Sequence, residues 1–319
     1  MNNLQYFPAI RRSVIDVGTN SVKVLIADVK DESVMPIEEK AIQTRLGEGL
    51  NNSGVLNRNS IEKTLEAIQK FVELSKSLGV SRIRIIGTSA VRESANSDEL
   101  VKMVKEKFGL LMEIISGEKE AEFVYEGVVC HLRNEKTNGV LISDIGGGSS
   151  EFIYGIGERI EFVKYYPFGT VRYMNEFKIS DPPKQSEYSK CRERIYNDLN
   201  FGIINDLNNL SNFNKHRVEK FIATGGTITI LGRILLGDNE FNRERLENLE
   251  IKFGDIKKIC DNLWSLPLQE RKKINGLPPD RADVILFGAL LYASLMEGLK
   301  LNSVFVSTRG LRFGAIKKF

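Results

Sequence analysis

Two segments of this chain share the pattern Asp-[Val/Ile]-Gly-x-[Asn/Gly]-Ser: DVGTNS at 16–21 and DIGGGS at 144–149. Each follows an apolar run (SVI, VLIS) and precedes another (VKVLIADV, SEFIYGIG), so each reads as two strands joined by a glycine turn. Glycine in such a turn lets the backbone approach a ligand closely, and successive N–H groups there form a nest for an anion. Hydroxyls at Thr19, Ser21, Ser149 and Ser150 add donors. The aspartates Asp16 and Asp144 would repel a phosphate unless a cation stood between them, and carboxylates that share Mg²⁺ with phosphate oxygens solve that problem. Either loop alone is equally an ordinary hairpin. Two of them facing each other across a cleft would grip a metal–phosphate group from both sides. A third turn, Gly225-Gly226-Thr227, lies between the apolar run KFIA and a helical pattern, and by itself is a weak phosphate signal. No Walker A spacing and no G-x-G-x-x-G after a strand is present.

An acid or base is sought next. The two histidines, His131 and His216, sit in polar, loop-like surroundings, and none of the three cysteines (Cys130, Cys191, Cys260) opens a Cys-x5-Arg phosphatase signature. Catalysis is left to carboxylates, a metal and backbone dipoles. On the helix that begins within the segment 114–122, Glu118, Glu122 and Glu126 fall at i, i+4 and i+8, the spacing of a solvated helix face. Glu120 is off that row, with Phe123, Val124 and Gly127 as its helical neighbours. Partial burial would raise its pKa toward that of a useful general base, while the helix N-terminus would oppose the shift. A first-turn glutamate complementing the helix dipole is the plainer alternative.

The elements that must position these groups alternate strand and helix, the mark of layered α/β domains. Extended runs over 13–29 lead to a strand at 35–42 and to a long amphipathic helix carrying Ile61, Leu65, Ile68, Val72 and Leu78, ended by Gly79. Strand 82–86, helix 98–108, strand 111–115 and helix 119–129 follow. The polar stretch HLRNEKTNG at 131–139 is the candidate domain boundary and hinge. A second βββα series then covers 140–144, 151–156, 160–166 and 170–177. Helical stretches around Pro182-Pro183 and 200–210, strand 220–223, helix 227–235, helix 281–299, strand 303–306 and a short helix from Arg309 complete the reading. The repeat of the loop pattern half a chain apart implies two related domains, residues 1–132 with 305–319 and residues 133–304. The closing strand and helix are expected to return to the first domain.

Bulk properties narrow the class. With 319 residues, 42% hydrophobic and 27% charged, the chain has the size of two ordinary globular domains. No apolar run is long enough for a spanning helix, and MNNLQYFPAIRR has no secretory h-region. An odd number of scattered cysteines points to a reducing compartment, hence the cytoplasm. The net charge of +3 is a weak hint of a polyanionic partner, and nucleic acid is not favoured, since no long basic tract or zinc-finger spacing accompanies it.

These residues resemble a known family. DVGTNS (16–21), GTSAVRES (87–94), IISGEKEA (114–121), DIGGGSSE (144–151), PFGTVR (167–172), ATGGT (223–227) and RADVILFGA (281–289) are similar, in order and over almost the whole chain, to the exopolyphosphatase/guanosine pentaphosphate phosphatase (Ppx/GppA) family. The resemblance implies an α/β fold of two duplicated actin-like (ribonuclease H-like) domains with a central interdomain cleft. It implies an exopolyphosphatase in which Glu120 activates the attacking water while Asp144 and Glu151 are associated with the metal and the lytic water. Asp16, Asp144 and Glu151 are then the expected ligands of Mg²⁺ or another divalent cation. Asn20, Ser21, Arg92, Gly146, Gly147, Gly148 and Ser149 match phosphate-holding positions, and Arg172 matches a recurrent arginine of less certain role. Inorganic polyphosphate or (p)ppGpp is the expected partner, and a homodimer is common in the family. Hydrolysis of pppGpp and a catalytically weak polyphosphate- or (p)ppGpp-binding regulator are the alternatives, and an actin-like ATPase or sugar kinase is a more distant one. Lys119 stands where the family often has glutamate, which puts the strength of metal binding in question. The chain resembles the short two-domain class, which lacks the C-terminal helical domains that serve long polymers.

Overall fold

Strands β1 (Ile10–Val17) and β2 (Ser21–Lys30) carry β-branched residues on both faces and become the middle of a sheet, where side chains are buried on both sides. The computed structural model describes residues 9–30, 33–129, 139–156, 159–210 and 218–319. Its chain divides into two units, Met1–Cys130 with Leu311–Phe319, and His131–Gly310. The boundary expected at 131–139 lies, except for Gly139, outside the described residues, as do Cys130, His131 and His216.

In the first unit β3 (Ser33–Gln43) completes an antiparallel meander with β1 and β2. Helices α1 (Leu50–Ser53) and α2 (Arg58–Ser77) lead to β4 (Arg82–Gly87), and α3 (Ser89–Glu93) and α4 (Ser97–Phe108) lead to β5 (Met112–Ile114) and α5 (Gly117–Val129). The sheet order is β3-β2-β1-β4-β5, with β4 and β5 parallel to β1. One face packs Ile15, Val17, Val22, Val24 and Ile26 against α2 residues Ile61, Leu65, Ile68 and Val72. The period of that apolar row is why α2 forms as read, with the Asn57 side chain accepting from the Ser60 N–H as its cap.

The second unit repeats the plan. β6 (Val140–Ile145), β7 (Ser150–Ile156) and β8 (Arg159–Tyr166) form an antiparallel meander, followed by α6 (Thr170–Glu176), α7 (Gln185–Leu199) and α8 (Asn205–Asn208). Next come β9 (Lys220–Thr224), α9 (Gly225–Leu236), α10 (Arg243–Leu246), β10 (Glu250–Lys252), α11 (Phe253–Ser265), α12 (Leu268–Arg271), α13 (Ile285–Gly298) and β11 (Ser303–Val306). The sheet order is β10-β11-β9-β6-β7-β8, with β9 parallel to β6 and β11 parallel to β9. Set side by side, β8-β7-β6-β9-β11 has the order and directions of β3-β2-β1-β4-β5, the duplication expected of actin-like domains. Helix α13 is apolar all round because it is enclosed, with eleven buried residues from Ile285 to Met296.

The last helix, α14 (Leu311–Lys317), packs on β1, β2 and α5 of the first unit. Arg12 Nη1 donates to the carbonyls of Ile316 and Lys317 at 3.1 and 3.3 Å, and Arg84 Nη1 to those of Ala315 and Lys318 at 3.2 and 3.0 Å. Two arginines therefore satisfy carbonyls that a helix end leaves open. Gly314 lets the backbones of α14 and α5 meet: a Cβ there would lie 2.0 Å from the Phe123 carbonyl oxygen. Gly314→Ala is expected to destabilise the protein by about 1–3 kcal/mol through overpacking, read as a lowered midpoint in urea.

The structure differs from the sequence reading at several places. The strand Ser303–Val306 does not return to the first unit but pairs with β9 and β10 in the second sheet, and only the segment from Leu311 crosses back. Helix α9 starts at Gly225, so Gly225 and Gly226 form its first turn. The helix expected over 281–299 begins at Ile285, after a 3₁₀ turn at Pro279–Arg281.

Candidate active site

In the first unit Asp16 lies next to the end of β1, and the turn is closed by the Gly18 N–H donating to the Ser21 carbonyl at 3.1 Å. Asn20 is held at both ends. Its carbonyl accepts from the N–H groups of Thr44 and Arg45 at 3.1 and 3.0 Å, and its Oδ1 accepts from Gln43 Nε2 at 3.4 Å. Its buried Nδ2 has no partner among the described residues. A buried donor left unmade costs about 1–3 kcal/mol, which an oxyanion at this turn would recover. Ser21 is buried beside it.

Asp16 is buried with no donor to its side chain among the described residues, and desolvation raises its carboxyl above the usual range, opposed by the charges of Lys23 and Arg312. The ionised form therefore costs stability at neutral pH, and that cost fades as pH falls through the raised folded-state value. Asp16→Asn is expected to stabilise the fold at neutral pH, with the gain shrinking toward acid pH. Thermal melts as a function of pH check it.

Arg92 and Glu120 come from α3 and from the first turn of α5. Arg92 Nη1 donates to Glu120 Oε2 at 3.1 Å and to the Ile115 carbonyl at 2.9 Å, which fixes the carboxylate in one orientation. Glu120 is only 8% exposed, as its apolar neighbours imply. The other glutamates of this helix do other work. Glu118 is held below the ordinary carboxylate range by its own backbone N–H and the Ser116 hydroxyl, Glu122 pairs with Lys119 at 2.7 Å, and Glu126 pairs with Lys318 at 3.1 Å. Lys119 also lies over the Phe123 ring, 5.1 Å from its centre, so its charge is committed to the outer face of the helix.

In the second unit Asp144 near the end of β6 and Glu151 near the start of β7 are register partners, directly opposite on an antiparallel pair. Facing carboxylates on a sheet repel unless a cation lies between them. Two hard oxygen donors suit Mg²⁺, which fills its remaining places with water and phosphate oxygens. Among the described residues no three His, Cys, Asp or Glu side chains form a fuller ligand set, and Asp16 belongs to the loop of the first unit. Gly225, at φ +88°, makes room for Asp144, since a Cβ there would fall 2.1 Å from Oδ1.

The 146–149 loop is organised by α6. Gly146 O accepts from the Thr170 N–H at 3.0 Å, Gly147 O from the N–H groups of Val171 and Arg172 at 2.9 and 3.1 Å, and Gly148 O from Arg172 Nε at 3.0 Å. In a planar trans peptide the N–H points opposite to the C=O. The N–H groups of Gly147, Gly148 and Ser149 therefore point away from those donors, three consecutive dipoles of the kind that can form a nest for an anion. The Thr227 hydroxyl donates to Ile145 O at 2.7 Å and Ser150 Oγ to Phe168 O at 2.8 Å, bracing both ends. Gln43 is a supporting residue that sequence reasoning missed, while Gly169, Thr170 and Thr227 lie in motifs it quoted without giving them this bracing role. Among the described residues, burial pushes the Cys191 and Cys260 thiols up to about 12, which suits neither to act as a nucleophile.

Comparison with known proteins shows the family. The model of the Ppx/GppA phosphatase family matches residues 25–318. The chain is 30% identical over 314 residues to the bifunctional 3-dehydroquinate synthase/phosphatase of Fusobacterium nucleatum, covering 96% of this chain but 46% of that protein. It is 27% identical over 300 residues to exopolyphosphatase 2 of Mycobacterium tuberculosis, 91% of each chain. Among solved structures, the Aquifex aeolicus Ppx/GppA family member superposes with a TM-score of 0.78 at 28% identity, covering 98% of this chain and 97% of that one. An exopolyphosphatase from Cytophaga hutchinsonii gives 0.84 at 26%, covering 95% and 96%. The chain belongs to the Ppx/GppA phosphatase family and is a hydrolase. No helix among the described residues is long and apolar enough to cross a membrane.

Proposed function

We propose that this protein is an exopolyphosphatase of the cytoplasm that removes the terminal phosphate of inorganic polyphosphate. The observation that carries the reading is the 146–149 loop, whose carbonyls are all engaged so that three successive N–H groups can meet a phosphate. The exopolyphosphatase names of relatives from M. tuberculosis and C. hutchinsonii support the substrate class. In the proposed reaction Glu120, held by Arg92, takes a proton from water as its oxygen attacks the terminal phosphorus. The bond to the bridging oxygen breaks, releasing orthophosphate and a chain one unit shorter. Asn20, Ser21 and the 146–149 loop hold the terminal phosphates, and positioning with charge stabilisation does most of the catalytic work. A divalent cation at Asp144 and Glu151, with Asp16 as a further candidate ligand, would neutralise developing charge on the phosphoryl oxygens.

Phosphate release with Mg²⁺ from short polyphosphate, long polyphosphate, pppGpp and ATP tests the reading. Release from polyphosphate is the expected result. Release from pppGpp alone would replace the substrate, and binding of polyphosphate without release from any of the four would make the protein a regulator.

A further inference from the structure

We propose that Arg172 is a positioning residue that acts through a peptide, and that its charge is not what the site uses. The inference rests on the reading of the 146–149 loop as an oxyanion site. Arg172 makes two separate contacts with that loop, its backbone N–H to Gly147 O at 3.1 Å and its Nε to Gly148 O at 3.0 Å. The peptides that begin at Gly146 and Gly147 are held by main-chain donors of α6, which no side-chain substitution removes. The peptide between Gly148 and Ser149 is the one whose carbonyl is held by a side chain. Glycine at 148 lowers the barrier to turning that peptide over. When it turns, the Ser149 N–H is lost to the anion and a carbonyl oxygen takes its place. Arg172 prevents the turn.

The geometry supplies its own test. Counted along the side chain, Arg Nε, Gln Nε2 and Met Cε occupy the same position, so Arg172→Gln keeps a donor at that atom without charge and Arg172→Met keeps only the length. Binding of inorganic phosphate to the full-length protein, by calorimetry at several ionic strengths, is the readout, with thermal melts alongside. Arg172→Met is expected to weaken phosphate about tenfold, as loss of one preorganised donor should. Its salt dependence should stay close to that of wild type, because the Nε contact is made to the Gly148 carbonyl and not to the anion. Arg172→Gln is expected to stay within about twofold of wild type. The proposal is overturned if Gln is as weak as Met with a flattened salt dependence, which would make Arg172 a direct phosphate ligand, or if Met binds as wild type does. If Arg172→Met fails to fold, the Gln variant decides alone, wild-type affinity supporting the proposal and a tenfold loss sinking it. The wild-type polyphosphate assay separates the two readings. Hydrolysis with no effect of Met fails this inference only, whereas the expected binding pattern without hydrolysis fails the assigned activity only.

Discussion

Glu120→Gln is expected to lower kcat for phosphate release by about 10²–10⁴-fold with KM little changed. Gln has the shape of Glu and still offers an oxygen to Arg92 Nη1, which keeps its second acceptor at Ile115 O, so the local structure should hold. What is lost is the group that accepts the proton in the proposed reaction. A melting temperature within a few degrees of wild type would show that the fold survives. Retained turnover in such a folded variant would remove Glu120 from the reaction.

Gly169→Ala is expected to cost about 10²–10³-fold in kcat/KM, although residue 169 touches no substrate in the proposed scheme. A Cβ there would lie 2.5 Å from Gly147 O and 2.7 Å from Gly146 O, two backbone atoms that no side-chain movement can relieve. The backbone conformation is not the obstacle, because φ is −170° and extended. Either the loop moves or the start of α6 does, and both misplace the N–H groups of 147–149. Gly254→Ala is the matched control, since nothing lies within 4 Å of a Cβ at that helical position and the change should be neutral or mildly stabilising. Equal activities for Gly169→Ala and wild type would show that the loop does not depend on this close approach.

Much of the site is legible in the sequence because its determinants are local. Asp, Gly and Ser at matching offsets between apolar runs specify both hairpins, and the helical neighbours of Glu120 foretell its burial. Arg92 sits 28 residues before Glu120, and no spacing rule brings those two side chains together. The same holds for Gly169 and Gly147, whose approach depends on how α6 lies on the loop. Helix α11 escaped the sequence reading although Ile256, Cys260, Leu263 and Trp264 have helical spacing and are buried. Strand β11, four residues long, carries no mark of the sheet it joins. That is settled by pairing with β9 and β10.

The return of Leu311–Phe319 to the first unit sets an order of assembly during synthesis. Helix α5, which carries Glu120, packs against a helix that the ribosome makes only after all of His131–Gly310. The second unit is continuous in the chain and can fold as soon as it emerges. The first is completed only once Leu311–Phe319 is made, and until then one face of β1, β2 and α5 stays uncovered.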